Sequence, residues 1–307
     1  VRTITTLTTH DRVLGGLLGV AVGDALGATT EFLNPISIQA RYGVHREIVG
    51  GGILKWRRGE PTDDTDLTLA VARAYAAGYS LDRVANNFLR WAAGNPHDVG
   101  GLTKRALTEL ARTGDPVTSG RNASLKDPGS AGNGSLMRCL PTALAVRDRW
   151  NREAQSLDIS AVTHYDSRCT TACLAYNEVA AWLIEGLTVK AALNRVLHDP
   201  LNLHPEVREA LQVSPDLKIT KLNTHGYVID SLKCAIWALQ QDQPAEDTLV
   251  QLVNRGHDAD TTGAIAGGLL GVRWGASAWP WRWVGKLETQ VEIANLARTL
   301  TELRERS

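Results

Sequence analysis

The chain has 307 residues, with 33 Lys and Arg balancing 33 Asp and Glu, 43% hydrophobic residues and 21% charged ones. These proportions are those of an ordinary globular protein and exclude disordered, collagenous and disulfide-scaffold classes. A net charge of zero provides no general field toward nucleic acid or an anionic membrane surface, so neither is an expected partner.

Apolar periodicity is helical almost everywhere. In chain order it predicts helices over residues 11–28, 64–77, 82–93, 101–113, 134–147, 168–185, 189–197, 226–241, 245–255, 261–274 and 285–304. Val49–Lys55 is the best strand candidate, but its glycines read as a loop. The longest irregular stretches are Asn34–Pro61, Gly114–Asn133 and Asp199–His225. No linker or composition break divides the chain. The expected architecture is all-α: one compact orthogonal helical domain over residues 1–307.

The apolar stretch Val13–Ala28 carries Asp24 and five glycines and is too short to span a bilayer, which needs roughly 20 apolar residues. No targeting segment is apparent, and a cytoplasmic protein is expected. Cys139, Cys169, Cys173 and Cys234 contain no C-x-x-C pair and read as buried reduced thiols.

Two helices carry glycine at every fourth position: Gly15, Gly19, Gly23 and Gly27, then Gly263, Gly267, Gly271 and Gly275. Glycine costs a helix roughly 1 kcal/mol relative to alanine, so close helix approach is the expected reason. The two stripes are expected to pack on each other, with a crossing near roughly −50°. Trp274, Trp279, Trp281 and Trp283 crowd one terminal segment that Pro280 keeps from being a single helix. Packing of a loop, or a partner interface, accounts for them.

Two acidic, threonine-bearing stretches read as helix starts. Pro61-Thr62-Asp63-Asp64-Thr65-Asp66 precedes one apolar run, and Gly256-His257-Asp258-Ala259-Asp260-Thr261-Thr262-Gly263 precedes another. Asp and Thr at helix starts commonly cap free N–H groups. Asp63, Asp64 and Asp66 within four residues exceed what a cap needs, and neither stretch holds a Lys or Arg. Clustered carboxylates call for a cation. The expectation is that the fold joins the two stretches into one oxygen-only site for Mg²⁺, Mn²⁺ or Ca²⁺. Zinc fits less well, because no His or Cys beyond the isolated His257 is spaced to join. Four or five acids suffice for two ions.

These residues resemble the ADP-ribosylglycohydrolase family, and within it the dinitrogenase reductase-activating branch. The resemblance runs from about Asp11 to about Leu303. Its motifs, in order, are Gly19 to Gly27, Thr30-Glu31-Phe32, Thr62-Asp63-Asp64-Thr65, Asp98-Val99-Gly100, Gly132-Asn133-Gly134 with Met137-Arg138, Thr163-His164, and Asp258 to Gly263. The resemblance implies an all-helical fold with a binuclear Mg²⁺ or Mn²⁺ cleft. It implies Thr62, Asp63, Asp64, Asp258, Asp260 and Thr261 as metal ligands, with Glu31 at the same site.

It further implies that Gly129-Ser130-Ala131-Gly132-Asn133-Gly134 holds the diphosphate of ADP-ribose, as glycines ahead of a helix start suit phosphate. His164 matches a ligand contact. Asp98 matches an aspartate facing the arginine end of the substrate, and Tyr227 a pocket residue near that end. His257 stands where the family usually has glycine. The implied reaction frees ADP-ribose from a modified protein arginine, with Asp63 or Asp64 orienting water, Asp98 holding the guanidinium and Glu31 beside them. Another ADP-ribose linkage, or ADP-ribose binding without hydrolysis, are the other readings.

Overall fold

The computed structural model describes residues 7–307. Among the described residues the architecture is all-α, with sixteen α-helices, three short 3₁₀ turns and no β-strand. Two isolated antiparallel bridges, Gly51 to Trp56 and Gly132 to Tyr227, are the only extended pairings described. Among the described residues no helix is long and apolar enough to cross a membrane.

The centre is the antiparallel pair formed by the first helix, Thr9–Gly27, and the glycine-rich helix Ala259–Trp274. Gly15 meets Gly271, Gly19 meets Gly267, Gly23 meets Gly263 and Gly27 meets Ala259. At each of these points a methyl group would strike a backbone carbonyl of the facing helix. Contact at four successive turns covers about 18 Å of axis. Axes crossing near roughly −50° would diverge over that length. The stripes therefore pack together as expected, but along one another rather than across.

Several expected boundaries shift. The stretch 134–147 is not one helix. Leu136–Arg138 is a 3₁₀ turn, and Pro141 lies in the first turn of a separate helix, Leu140–Ala145. Helices Pro35–Tyr42, Pro116–Leu125 and Pro205–Leu211 occupy the three stretches read as irregular. Each opens on proline behind a capping side chain, from Asn34, Asp115 and His204. Proline is accepted at a first helical position, where its missing N–H is not needed. Helix Arg149–Ala161, capped by Asp148, was also not expected. The C-terminal helix begins at Gln290, after a short turn of helix at Trp281–Val284.

All four cysteines are buried and unpaired. The tryptophan cluster divides. Trp279 and Trp283 are buried, with their indole N–H groups donating to Gly15 and Arg46 carbonyls, whereas Trp281 is 86% exposed.

Candidate metal and substrate site

Pairing of Gly27 with Ala259 puts the end of the first helix against the start of the glycine-rich one. The chain leaving Gly27 turns at once. The Glu31 N–H donates to the Gly27 carbonyl at 3.0 Å, and Thr30 Oγ1 donates to Val253 at 2.8 Å. Glu31 thereby reaches Asp258 and Asp260, and one carboxylate oxygen from each of the three lies within 4.8 Å of the others.

The other acidic stretch starts helix Asp63–Ala76. Thr62 is its N-cap, accepting from the Asp64 N–H at 3.2 Å. Asp24, buried in the first helix, receives the Thr62 N–H and the Thr65 N–H, each at 3.1 Å, and the Thr65 hydroxyl. The two stretches meet where Thr261 Oγ1 donates to Asp64 Oδ2 at 3.1 Å. Capping accounts for Thr62 but not for Asp258, whose side chain makes no cap bond and instead accepts from Asn133 Nδ2 at 2.6 Å. Asp66 does not join the cluster. Its carboxylate turns to the Trp91 indole at 3.0 Å.

The electrostatics are those of buried acids crowded together, each repelling its neighbours. Burial, with repulsion from Asp258, Asp98, Asp63 and Asp24, pushes Glu31 up to about 9. Burial, Asp98, Asp24 and Asp258 push Asp63 up to about 8. Asp64, Asp258 and Asp260 are also raised, by burial first. Asp24 rises to about 6 by burial, against the pull of its Thr65 and Thr62 bonds. Buried oxygens of Asp24, Glu31, Asp64 and Asp260 have no hydrogen-bond partner. A buried carboxylate oxygen without a donor is costly unless a cation faces it. Carboxylates and threonine hydroxyls, without thiolate or imidazole, fit hard divalent ions such as Mg²⁺ or Mn²⁺.

A cavity of about 660 Å³ opens on this cluster, lined by Glu31, Asp63, Asp98, Asp258, Asp260 and Thr261 among others. Ser130, Gly132, Asn133, Gly134 and His164 line it too. Residues 131–133 are held beside 226–228 by Asn133 N–H to Gly226 O (3.1 Å) and Val228 N–H to Ala131 O (3.0 Å). His164 shares a 2.7 Å hydrogen bond with Thr163 Oγ1 through Nδ1, and its ring edge faces Gly132 and Gly134. Burial, then the Arg138 charge, lowers its pKa to about 3, so the ring is neutral. Asp98 is not a helix cap either. The next helix, Gly101–Thr113, has Gly100 at its N-cap and no side-chain cap bond.

Two expected substrate contacts are not at the cavity. The Tyr227 hydroxyl donates to Glu206 Oε2 at 2.6 Å and accepts from Arg168 at 3.4 Å. Gly129 is exposed, its carbonyl accepting from Arg168 at 3.0 Å. Cavity residues the sequence reading did not single out include His225, Gly226 and Thr103. His225 has no periodicity or motif to mark it. A larger cavity, about 1120 Å³, lies at the far end of the central pair by Arg12 and Trp274, with Asp242 its one acid.

The class so defined is an all-helical protein with an acid-floored cavity suited to hard cations. The chain belongs to the ADP-ribosylglycohydrolase family, a family of enzymes, which it matches over residues 5–307. It is 35% identical over 289 residues to the ADP-ribosyl-[dinitrogen reductase] glycohydrolase of Rhodospirillum rubrum, covering 92% of each chain. It is 32% identical to the ADP-ribosylarginine hydrolase Tri1 of Pseudomonas putida (strain GB-1), covering 94% of this chain and 78% of that one. A solved structure described as an ADP-ribosylglycohydrolase-related protein complex superposes with a TM-score of 0.82 at 31% identity, over 96% of this chain and 98% of the other.

Proposed function

We propose that this protein hydrolyses the N-glycosidic bond joining ADP-ribose to a protein arginine, releasing ADP-ribose and unmodified arginine. The single observation that carries this reading is Asp98. It shares the cavity with the acid cluster and caps no helix. A carboxylate there suits a planar guanidinium through two parallel charge-assisted hydrogen bonds. A relative named for ADP-ribosylarginine supports the same linkage, and one named for ADP-ribosyl-[dinitrogen reductase] supports a protein as the carrier of ADP-ribose.

Thr62, Asp63, Asp64, Asp258, Asp260 and Thr261 would hold two divalent ions, Mg²⁺ or Mn²⁺, with Glu31 beside them. When bound, such ions supply positive charge for ribose hydroxyls and acidify water. The loop 130–134 receives the diphosphate on the Gly132 and Gly134 N–H groups, while the Asn133 N–H holds Gly226 and its side chain fixes Asp258. Asp63, or Asp64 behind it, orients a water toward the anomeric carbon. The water oxygen bonds to that carbon as the carbon–nitrogen bond breaks. The water proton passes by way of the carboxylate to the departing guanidine nitrogen, which leaves as guanidinium. Asp98 holds the leaving group in line. The setting fits a cytoplasmic, one-domain enzyme acting on an ADP-ribosylated protein.

The test is incubation with arginine-ADP-ribosylated protein, with EDTA and then with Mg²⁺ or Mn²⁺ restored. Metal-dependent release of ADP-ribose is expected. Release only from a serine-linked or nucleic-acid-linked conjugate would reject the arginine reading. Tight ADP-ribose binding without any release would reject the enzyme.

A further inference from the structure

His225 and His257 face each other on the cavity wall, ring centroids 4.0 Å apart and planes tilted by 42°. Their backbones come from segments the site already anchors. The Asp258 N–H donates to Thr224 at 2.9 Å and the Asn133 N–H to Gly226 at 3.1 Å, so His225 is pinned from both sides. His257 has φ 60°, a left-handed conformation that favours glycine. Reciprocal bonds hold it there. The Phe32 N–H donates to the His257 carbonyl and the His257 N–H to the Leu33 carbonyl, both at 2.7 Å. Phe32 is itself left-handed at φ 60°, is 59% exposed and lines the same cavity. A left-handed backbone under bulky side chains persists where the surroundings impose it, and such positions gather at functional sites.

We propose that His225 and His257, with Phe32 beside them, form a stacking shelf at the cavity mouth for the guanidinium and alkyl stem of the modified arginine. The shelf thereby sets the preference for that linkage. This rests on the arginine reading above. Depth supports it: Glu31 and Asp260 are only 4% and 3% exposed, whereas His225 is exposed and His257 half-buried. A substrate whose ribose sits on the acids therefore presents its outward-projecting part to the rings. A guanidinium stacks on aromatic faces while its edge remains free for a carboxylate, here Asp98. A serine linkage offers neither a plane nor a charge to stack.

The test compares wild type, His225→Ala, His257→Gly and the double variant on arginine-ADP-ribosylated protein at one fixed pH. Glycine suits φ 60° and His225 is exposed, so these variants keep the fold. In the double variant KM rises about tenfold with kcat within about twofold, the scale of a stacked cation. The Kd for free ADP-ribose stays unchanged. A parallel loss of ADP-ribose affinity would place the rings on the nucleotide and overturn the proposal. An unchanged KM in active protein would also overturn it, alone. Wild type inert on the arginine conjugate would instead overturn the arginine reading, and the shelf with it.

Discussion

Thr261 and Asp64, 197 positions apart, are joined by a 3.1 Å hydrogen bond from hydroxyl to carboxylate. That bond brings the two acidic helix starts into one site. Thr261→Val keeps the side-chain shape and removes the donor. We expect divalent-ion affinity to fall at least about tenfold, since a hydrogen bond to a charged group contributes about 1.5–3 kcal/mol. Titration calorimetry with Mn²⁺ checks this, and wild-type affinity would take Thr261 out of the ligand set.

The raised acids make stability depend on pH in a defined direction. Glu31 and Asp63, pushed up to about 9 and about 8, bind protons more tightly folded than unfolded. That contribution is complete below the unfolded carboxylate value of about 4 and is lost as pH rises through the folded values. Chelator-treated protein should therefore show a Tm that falls from pH 6 to pH 9. Metal requires the ionised carboxylates, so the Tm gain from saturating Mg²⁺ or Mn²⁺ should grow over the same interval. Parallel curves with and without metal would count against a cation at these acids.

Asp98 is expected to act on the leaving group and not on the metal. Asp98→Asn should lower kcat/KM on an arginine conjugate by about 10²-fold, in the range for a misplaced proton or charge partner. It should leave the metal-induced Tm gain as in wild type. A loss of both would move Asp98 into the metal set.

The acid-rich starts are legible because five carboxylates, three in the first stretch and two in the second, exceed what caps require, and the structure gathers all of them except Asp66. Sequence spacing cannot show that Asp66 turns to Trp91, because that contact depends on where the next helix lies. Asp24 was visible only as an ion in an apolar, glycine-rich run. Its purpose appears once the Thr62–Thr65 turn is seen donating to it. The helices at Pro35, Pro116 and Pro205 are too short for an apolar period to mark them, although Asn34, Asp115 and His204 cap them. His225 and His257 lie 32 positions apart in loops, where no period links them.

The glycine stripes predict a substitution effect opposite in sign to helix propensity. Alanine at Gly19 should favour an isolated helix by roughly 1 kcal/mol. Here its methyl would strike the Gly267 carbonyl and crowd the buried Trp279 ring. Backbone cannot yield as a side-chain end does, so a net loss of at least about 2 kcal/mol is expected. Urea unfolding measures it. A stability equal to wild type would mean the helix pair slides apart without cost.

Asp24 separates holding the turn from serving the cation. Its Oδ2 accepts from the Thr62 and Thr65 N–H groups and the Thr65 hydroxyl, while its buried Oδ1 has no partner. Asp24→Asn keeps one oxygen for those donors and puts an amide where the free oxygen was. The turn should survive, with far-ultraviolet circular dichroism as in wild type. An amide N–H cannot face a cation or accept from its water, so metal affinity should fall about 10–100-fold, the range for outer partners of a metal site. Asp24→Ala removes both functions, leaving buried N–H groups without an acceptor, and should also destabilise by roughly 1–3 kcal/mol per group. If the Asn variant binds Mn²⁺ as tightly as wild type, Asp24 is a fastening for the Thr62–Thr65 turn and nothing more.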